Sequence, residues 1–114
     1  METAISLFGQ TAAISSTVAL VANTTSLFLV CVYLVCSVSG NIGDNTQLFI
    51  NWSDDVTTQE WFSDELQLET LGNLVNSPVF VIRVLNNGTI TYSTSYNAYM
   101  SPAYDLFLTI KAIP

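Results

Sequence analysis

A run of thirteen uncharged residues, Ser26-Leu27-Phe28-Leu29-Val30-Cys31-Val32-Tyr33-Leu34-Val35-Cys36-Ser37-Val38, constrains this chain more than any other feature. It lies within an uncharged stretch from Thr3 to Gly43. Such a run is either a membrane span or a strand buried on both faces. A spanning helix needs ~20 mostly apolar residues. Here Asn23-Thr24-Thr25-Ser26 interrupts the run upstream, Ser37, Ser39, Gly40 and Asn41 end it, and no Lys or Arg flanks it to set an orientation. Four valines (30, 32, 35 and 38) with Phe28 and Tyr33 favour sheet. Alternation puts Phe28, Val30, Val32, Leu34, Cys36 and Val38 on one face and Leu27, Leu29, Cys31, Tyr33 and Val35 on the other. Both faces are apolar, as in a strand covered on both sides. One face therefore packs on an opposing sheet, and the other needs a neighbouring subunit or a covering segment. A strand is expected, not a span over 12–38, and no membrane partner.

Charge narrows the function classes. Only 10% of the 114 residues are charged, against ~25% in ordinary soluble domains. Nine acids oppose Arg83 and Lys111, giving a net charge of -7. Nucleic-acid phosphates are repelled, and anionic membrane surfaces are disfavoured for the same reason. A small chain with so few charges is expected to cover apolar surface by association.

The start, Met1-Glu2-Thr3-Ala4, has no positive n-region, so no secretion signal is expected. Sequons at Asn23, Asn51 and Asn87 then read as chance matches. Cys31 and Cys36 read as small buried hydrophobes of a reducing cytoplasm. On a strand rising ~3.3 Å per residue they stand roughly 16 Å apart on opposite faces, too far for a disulfide, which needs Cα atoms within ~7 Å. With no histidine and no further cysteine, no structural zinc site is expected within one chain.

The remainder reads as short strands between turn signals, the pattern of a sandwich or barrel. Ile14 to Val21 places Ile14, Val18 and Leu20 on one face; Thr46 to Trp52 sets Leu48 and Ile50 against Gln47, Phe49 and Asn51. Glu65 to Leu71 turns Leu66 and Leu68 inward. Val79 to Val84 and Thr89 to Ser93 flank Asn86-Asn87-Gly88, a tight-hairpin signal. Tyr104 to Ala112 closes the chain with Tyr104, Leu106, Leu108 and Ile110 on one face. No helix is expected beyond one turn between Thr58 and Leu66. The fold class is thus all-β: one antiparallel, jelly-roll-like β-sandwich of about eight short strands over residues 14–114. Residues 1–13 are expected as an extended N-terminal arm lying on a neighbour.

Candidate chemistry is sparse. Six acids fall between Asp54 and Glu69, namely Asp54, Asp55, Glu60, Asp64, Glu65 and Glu69. Clustered carboxylates suit calcium or the paired acids of a glycosidase, but the spacing matches no EF-hand loop, and a solvated acidic loop explains it as well. Trp52, Trp61 and Phe62 bracket this segment. With Asp54 and Asp55, Trp52 and Trp61 are candidate contacts for a sugar, the alternative being core packing. Tyr92, Tyr96, Tyr99 and Tyr104 form a second aromatic group amid Ser and Asn, suited either to a polar protein interface or to capping the barrel end. No histidine, no G-x-S-x-G and no Gly-rich phosphate loop occur, so neither catalysis nor a cofactor is expected.

Four segments together resemble small virion proteins of tailed bacteriophages. Residues 18–34, Val-Ala-Leu-Val-Ala-Asn-Thr-Thr-Ser leading into Leu27-Phe28-Leu29-Val30-Cys31-Val32-Tyr33-Leu34, are similar to their turn into a long apolar strand. Leu48 to Asp55 looks like their strand ending in an aromatic, a hydroxyl residue and aspartates. Phe80-Val81-Ile82-Arg83-Val84 with Gly88 to Thr94 looks like their hairpin, and Ser101 to Ile110 like their closing strand. The resemblance runs from about Ile14 onward, on motifs of low information. It implies a non-enzymatic capsid decoration (cement) protein: a small β-sandwich that clamps neighbouring capsid subunits as a homotrimer, its partners being itself and the phage major capsid protein. The implied location is the virion, assembled in the host cytoplasm. One departure is the lack of a basic residue early in the first long strand, where Phe28, Leu29 and Val30 imply a drier interface. The interface residues expected are Leu27, Leu29, Tyr33, Val35, Tyr96 and Tyr99. The alternative function is a tail or head-fibre sandwich that recognises host carbohydrate.

Overall fold

Pairing follows one rule throughout this chain: the first strand meets the last, the second the next to last, and so on inward. A computed structural model describes residues 1–54, 56–75 and 78–114; Asp55 lies outside the described residues. The strands are β1 (Glu2–Gln10), β2 (Thr17–Val21), β3 (Ser26–Val38), β4 (Asn45–Ser53), β5 (Thr58–Phe62), β6 (Leu66–Gln67), β7 (Val79–Val84), β8 (Thr89–Asn97) and β9 (Ala103–Ile113). The antiparallel pairs β1–β9, β2–β8, β3–β7 and β4–β5 make one long ribbon folded over on itself. Folding the ribbon sorts its strands into a first sheet, β1-β9-β3-β7, and a second, β2-β8-β4-β5, with β6 also beside β4. A four-stranded and a five-stranded layer with this order make a jelly roll, the two-residue β6 being the extra strand. The fold is the expected all-β sandwich, and no helix occurs among the described residues.

The core forms where the inner faces meet. Phe28, Val30, Val32, Leu34 and Cys36 of β3 lie against Leu48 and Ile50 of β4, with Ile90, Leu106, Leu108 and Ile110 completing the layer, all buried. Period-two alternation along β3 and β9 makes this possible, because each sends every second side chain inward. Two bulges alter the expected facing. Register slips by one residue between Val18 and Leu20, so Val18 is exposed while Leu20 is buried. It slips again between Cys36 and Val38, turning Val38 outward. An extra residue in one strand reverses the sides of everything after it, and no local pattern marks where it falls.

Other expectations are corrected by long-range pairing. The segment 1–13 is extended, but it is no free arm: β1 is an edge strand of the sandwich, paired with β9 from Glu2↔Lys111 to Gln10↔Tyr104. Thr58 to Leu66 contains strand β5, not a helical turn. Leu66 and Leu68 are buried as expected, yet β6 is only two residues long. The Asn86-Asn87-Gly88 turn is tight, with the Gly88 N–H donating to the Leu85 carbonyl at 2.8 Å. Asn87 takes φ +65°, a conformation asparagine tolerates better than most residues. The turn joins two sheets and makes no hairpin, since β7 pairs with β3 and β8 with β2 and β4. Ala22 fastens it there, accepting from Asn87 N–H at 2.7 Å and donating to Gly88 O at 2.9 Å. The tyrosine-rich loop is mostly strand, because β8 continues to Asn97.

Candidate functional site

The first sheet has one face on the core and one turned outward. On β3 the outward residues are Leu27, Leu29, Cys31, Tyr33 and Val35, in the expected alternation. Beside them stand Val79 and Val81 of β7 and Phe107, Thr109 and Lys111 of β9, through the registers Leu29↔Val81, Cys31↔Val79, Tyr33↔Phe107 and Leu29↔Lys111. Among the described residues no segment covers this face: Leu27 is 46% exposed, Val81 53% and Val79 61%. Phe8 and Tyr33 each set an edge against the Phe107 ring, at 5.2 and 5.8 Å between centroids. A shallow apolar depression of about 260 Å³ opens between Cys31, Tyr33, Phe107 and Thr109. Both cations of the chain sit on this face, Arg83 opposite Leu27 and Lys111 opposite Leu29, with Glu2 across from Lys111.

The other expected interface residues lie elsewhere. Tyr96 is a structural residue at the end of the sandwich: its hydroxyl donates to Pro102 O at 2.6 Å and its ring lies 6.2 Å from that of Tyr104. Tyr99 belongs to a loop tip built around Asp44. The Asp44 carboxylate is fully buried and accepts from Asn41 N–H at 2.9 Å and Tyr99 N–H at 3.0 Å, while its main-chain carbonyl accepts from Leu68 N–H at 2.8 Å. Gly40 donates to Leu68 O at 2.7 Å, and a Cβ at Gly40 would stand 2.5 Å from the Asp44 carboxylate and 2.8 Å from Pro102. The loops 39–44, 68–72 and 98–102 therefore converge on one buried carboxylate. Their apolar tips point away from it: Tyr99 is 90% exposed and Ile42 89%, and Leu71 and Met100 are exposed as well.

Of the residues read as candidate ligand contacts, Trp52, Trp61 and Asp54 are engaged within the fold, and Asp55 lies outside the described residues. Trp52 and Trp61 lie on the inward face of the second sheet and pack on the core, with the Trp61 ring stacked on Phe80 at 4.7 Å. Asp54 shapes the β4–β5 turn, accepting from Val56 and Thr57 N–H at 2.8 and 2.9 Å and from Gln59 Nε2 at 2.9 Å. The bonds from Thr57 and Val56 hold its carboxyl below the usual range. Among the described residues, no three His, Cys, Asp or Glu side chains form a metal-sized group. Cys31 and Cys36 are free thiols on opposite faces of β3, and burial pushes the Cys36 thiol up. The sequence reading missed Val79, Val81 and Phe107 on the outward face, although Val79-Phe80-Val81-Ile82 alternates plainly. It also missed Asp44, whose only local signal is its place in the turn Asn41-Ile42-Gly43-Asp44.

No family model matches the chain, and no curated protein matches it. Among solved structures it is similar to the VP2 subviral particle protein of infectious bursal disease virus, with a TM-score of 0.58 at 13% identity. That match covers 96% of this chain and 32% of the viral one, so the chain spans about a third of that protein's length. At this identity the likeness is one of fold. Looser likenesses are to the Eiger TNF of S. frugiperda (TM-score 0.46, 8% identity, 99% of this chain and 93% of that one) and to the disulfide-linked pili of Bacillus endospore appendages (TM-score 0.40, 12% identity, 100% and 87%). The jelly roll of this chain is thus a fold it shares with a viral capsid protein.

Proposed function

We propose that this chain is a structural subunit of a virion that works by association and not by catalysis. In its finer form it is a decoration (cement) protein of the tailed-phage type, a homotrimer that clamps neighbouring subunits of the major capsid protein. The observation that carries the proposal is the uncovered apolar face of β3, β7 and β9. A sheet face holding Leu27, Leu29, Tyr33, Val35, Val79, Val81 and Phe107 is costly to leave in water, and contiguous patches of this kind mark protein contacts. The capsid-like fold and the resemblance of four sequence segments to small phage virion proteins support the same reading. Such a protein acts by burying surface across joints of the shell, with specific contacts of ~1,200–2,000 Å² as the scale required.

The test is co-sedimentation of the purified protein with expanded shells of the encoding virus prepared without it. The expected result is saturable binding at a fixed ratio to the shell subunit and a higher temperature for shell disruption. A protein that stays in the supernatant at all concentrations would overturn the proposal.

A further inference from the structure

The first sheet ends at β1, and the hydrogen bonds there show which backbone groups are left over. Ala112 N–H donates to Met1 O at 2.9 Å, one step before the register Glu2↔Lys111. In an antiparallel ladder, residues that exchange bonds with the partner alternate with residues whose N–H and C=O point the other way. Thr3, Ile5 and Leu7 therefore bond to β9, while Glu2, Ala4 and Ser6 turn both main-chain groups to the open edge. Among the described residues no strand pairs with that edge. We infer that a second copy of the chain does: β1 pairs antiparallel with β1 of another molecule, joining two four-stranded sheets into one of eight strands. The inference goes beyond the virion reading and does not depend on it.

Unpaired strand edges recruit other strands unless they are short, charged, bulged or covered. β1 is the least guarded edge of this sandwich. It is nine residues long, and neither charge nor proline follows Glu2 as far as Gln10. Its bulge lies at the far end, where Gly9 takes φ +60° and gives its N–H to the Asp105 carboxylate at 2.7 Å. The other edges are blunted. β2 has five residues and a bulge, β5 has five residues with Glu60 among them, and β7 has six with Arg83.

β1 itself supplies the strand that its edge requires. An added strand must be apolar on the side facing the second sheet, where the edge leaves Ile5 and Leu7 only half-buried against the core. On the other side it must be small and uncharged. Pairing about a two-fold axis at Ile5 sets Ile5 against Ile5 of the second copy, and Thr3 against its Leu7, so each edge covers the half-buried side of the other. Ala4 then meets Ser6 on the outer side. Even-numbered residues oppose even-numbered ones, which is the condition for the open N–H and C=O groups to bond each other. Charge selects the direction. A parallel, in-register pair would set Glu2 beside Glu2. The antiparallel pair separates these carboxylates by six residues, roughly 20 Å at ~3.4 Å per residue, beyond the Debye length of about 10 Å at 0.1 M salt. Both copies use the same surface, as in the two-fold contacts from which most oligomers are built.

Two measurements test the pairing. Amide exchange of the unsubstituted chain, followed by NMR, should show Thr3 and Ile5 protected at every concentration by their bonds to β9. The Ala4 and Ser6 amides should exchange freely in dilute solution and slow by roughly tenfold or more as the chain is concentrated. For the second, Ala4→Cys and Ser6→Cys are made as separate chains in a Cys31→Ser background. Opposed residues of a bonded pair stand about 5.5 Å apart between Cα atoms, within reach of a disulfide. Mixed and oxidised, the two variants should give a covalent dimer at twice the 12.4 kDa chain mass on a denaturing gel, and neither should do so alone. Ala4 and Ser6 amides that stay fast at every concentration, or a mixture without covalent dimer, would overturn the inference. Protection that appears only when shells are added would also overturn it, assigning the edge to a strand of the shell. Both readouts are independent of co-sedimentation, so the pairing can fail while the proposed function stands, and the reverse.

Discussion

Individual side chains show how closely this small fold depends on a few buried polar groups. Asp44 ties three loops through one carboxylate, and its removal leaves two N–H groups without acceptors. Asp44→Ala is expected to cost about 2–4 kcal/mol, read as a lower urea midpoint with an unchanged slope. Tyr104 is the counterpart near the start of β9. Its hydroxyl donates to Ala12 O at 2.8 Å and lies 2.6 Å from Thr94 Oγ1, which in turn accepts from Ile14 N–H. Burial pushes the Tyr104 phenol above the ordinary tyrosine range, and burial together with the Asp44 charge does the same to Tyr96. A raised folded value means that the neutral phenol is favoured in the fold. The resulting stability is complete below the unfolded tyrosine value of about 10 and is lost as pH rises through the higher folded values. Urea midpoints should accordingly hold from pH 7 to 9 and fall above that range. Tyr104→Phe should start about 1 kcal/mol lower and lose less on the alkaline side.

At the scale of the element, β3 has one face that holds the fold and one that the fold leaves uncovered. Leu34 is fully buried between the sheets, so Leu34→Ala is expected to destabilise by about 2–5 kcal/mol. Val81 stands on the outward face next to Leu29, so Val81→Thr should change the stability of the isolated chain by less than about 0.5 kcal/mol. The same substitution should weaken assembly, and chemical unfolding compared with sedimentation velocity separates the two effects. The faces of β3 were legible in the sequence because alternation is local. The bulges at Ala19 and Ser37 were not, since the partner strand decides where an extra residue is accommodated. The mistaken hairpin at Asn86 to Gly88 has the same origin: Asn-Gly specifies a tight turn but not which sheet receives the next strand. Trp52 and Trp61 read equally well as ligand contacts or core, and it is the pairing of Ile50 with Trp61 that places both on the inward side.

For the whole molecule, the balance between apolar burial and charge governs behaviour. A chain with a net charge of -7 repels its copies over distances comparable with the Debye length, about 10 Å at 0.1 M salt. Raising salt from roughly 20 to 200 mM should therefore tighten self-association, seen in sedimentation velocity as a shift to larger species at fixed concentration. Assembly held chiefly by ion pairs would respond in the opposite direction.

Composition and period-two patterning alone determined that this chain is all-β, that residues 26–38 form a strand and not a span, and which side chains of that strand face the core as far as Cys36, ahead of the bulge that turns Val38 outward. These follow from interactions within a few residues. Only the tertiary structure decided that residues 2–10 complete a sheet and that distant loops share one carboxylate. It also decided that the second apolar face of β3 stays open among the described residues, because covering that face depends on segments far away in the chain and no described segment reaches it.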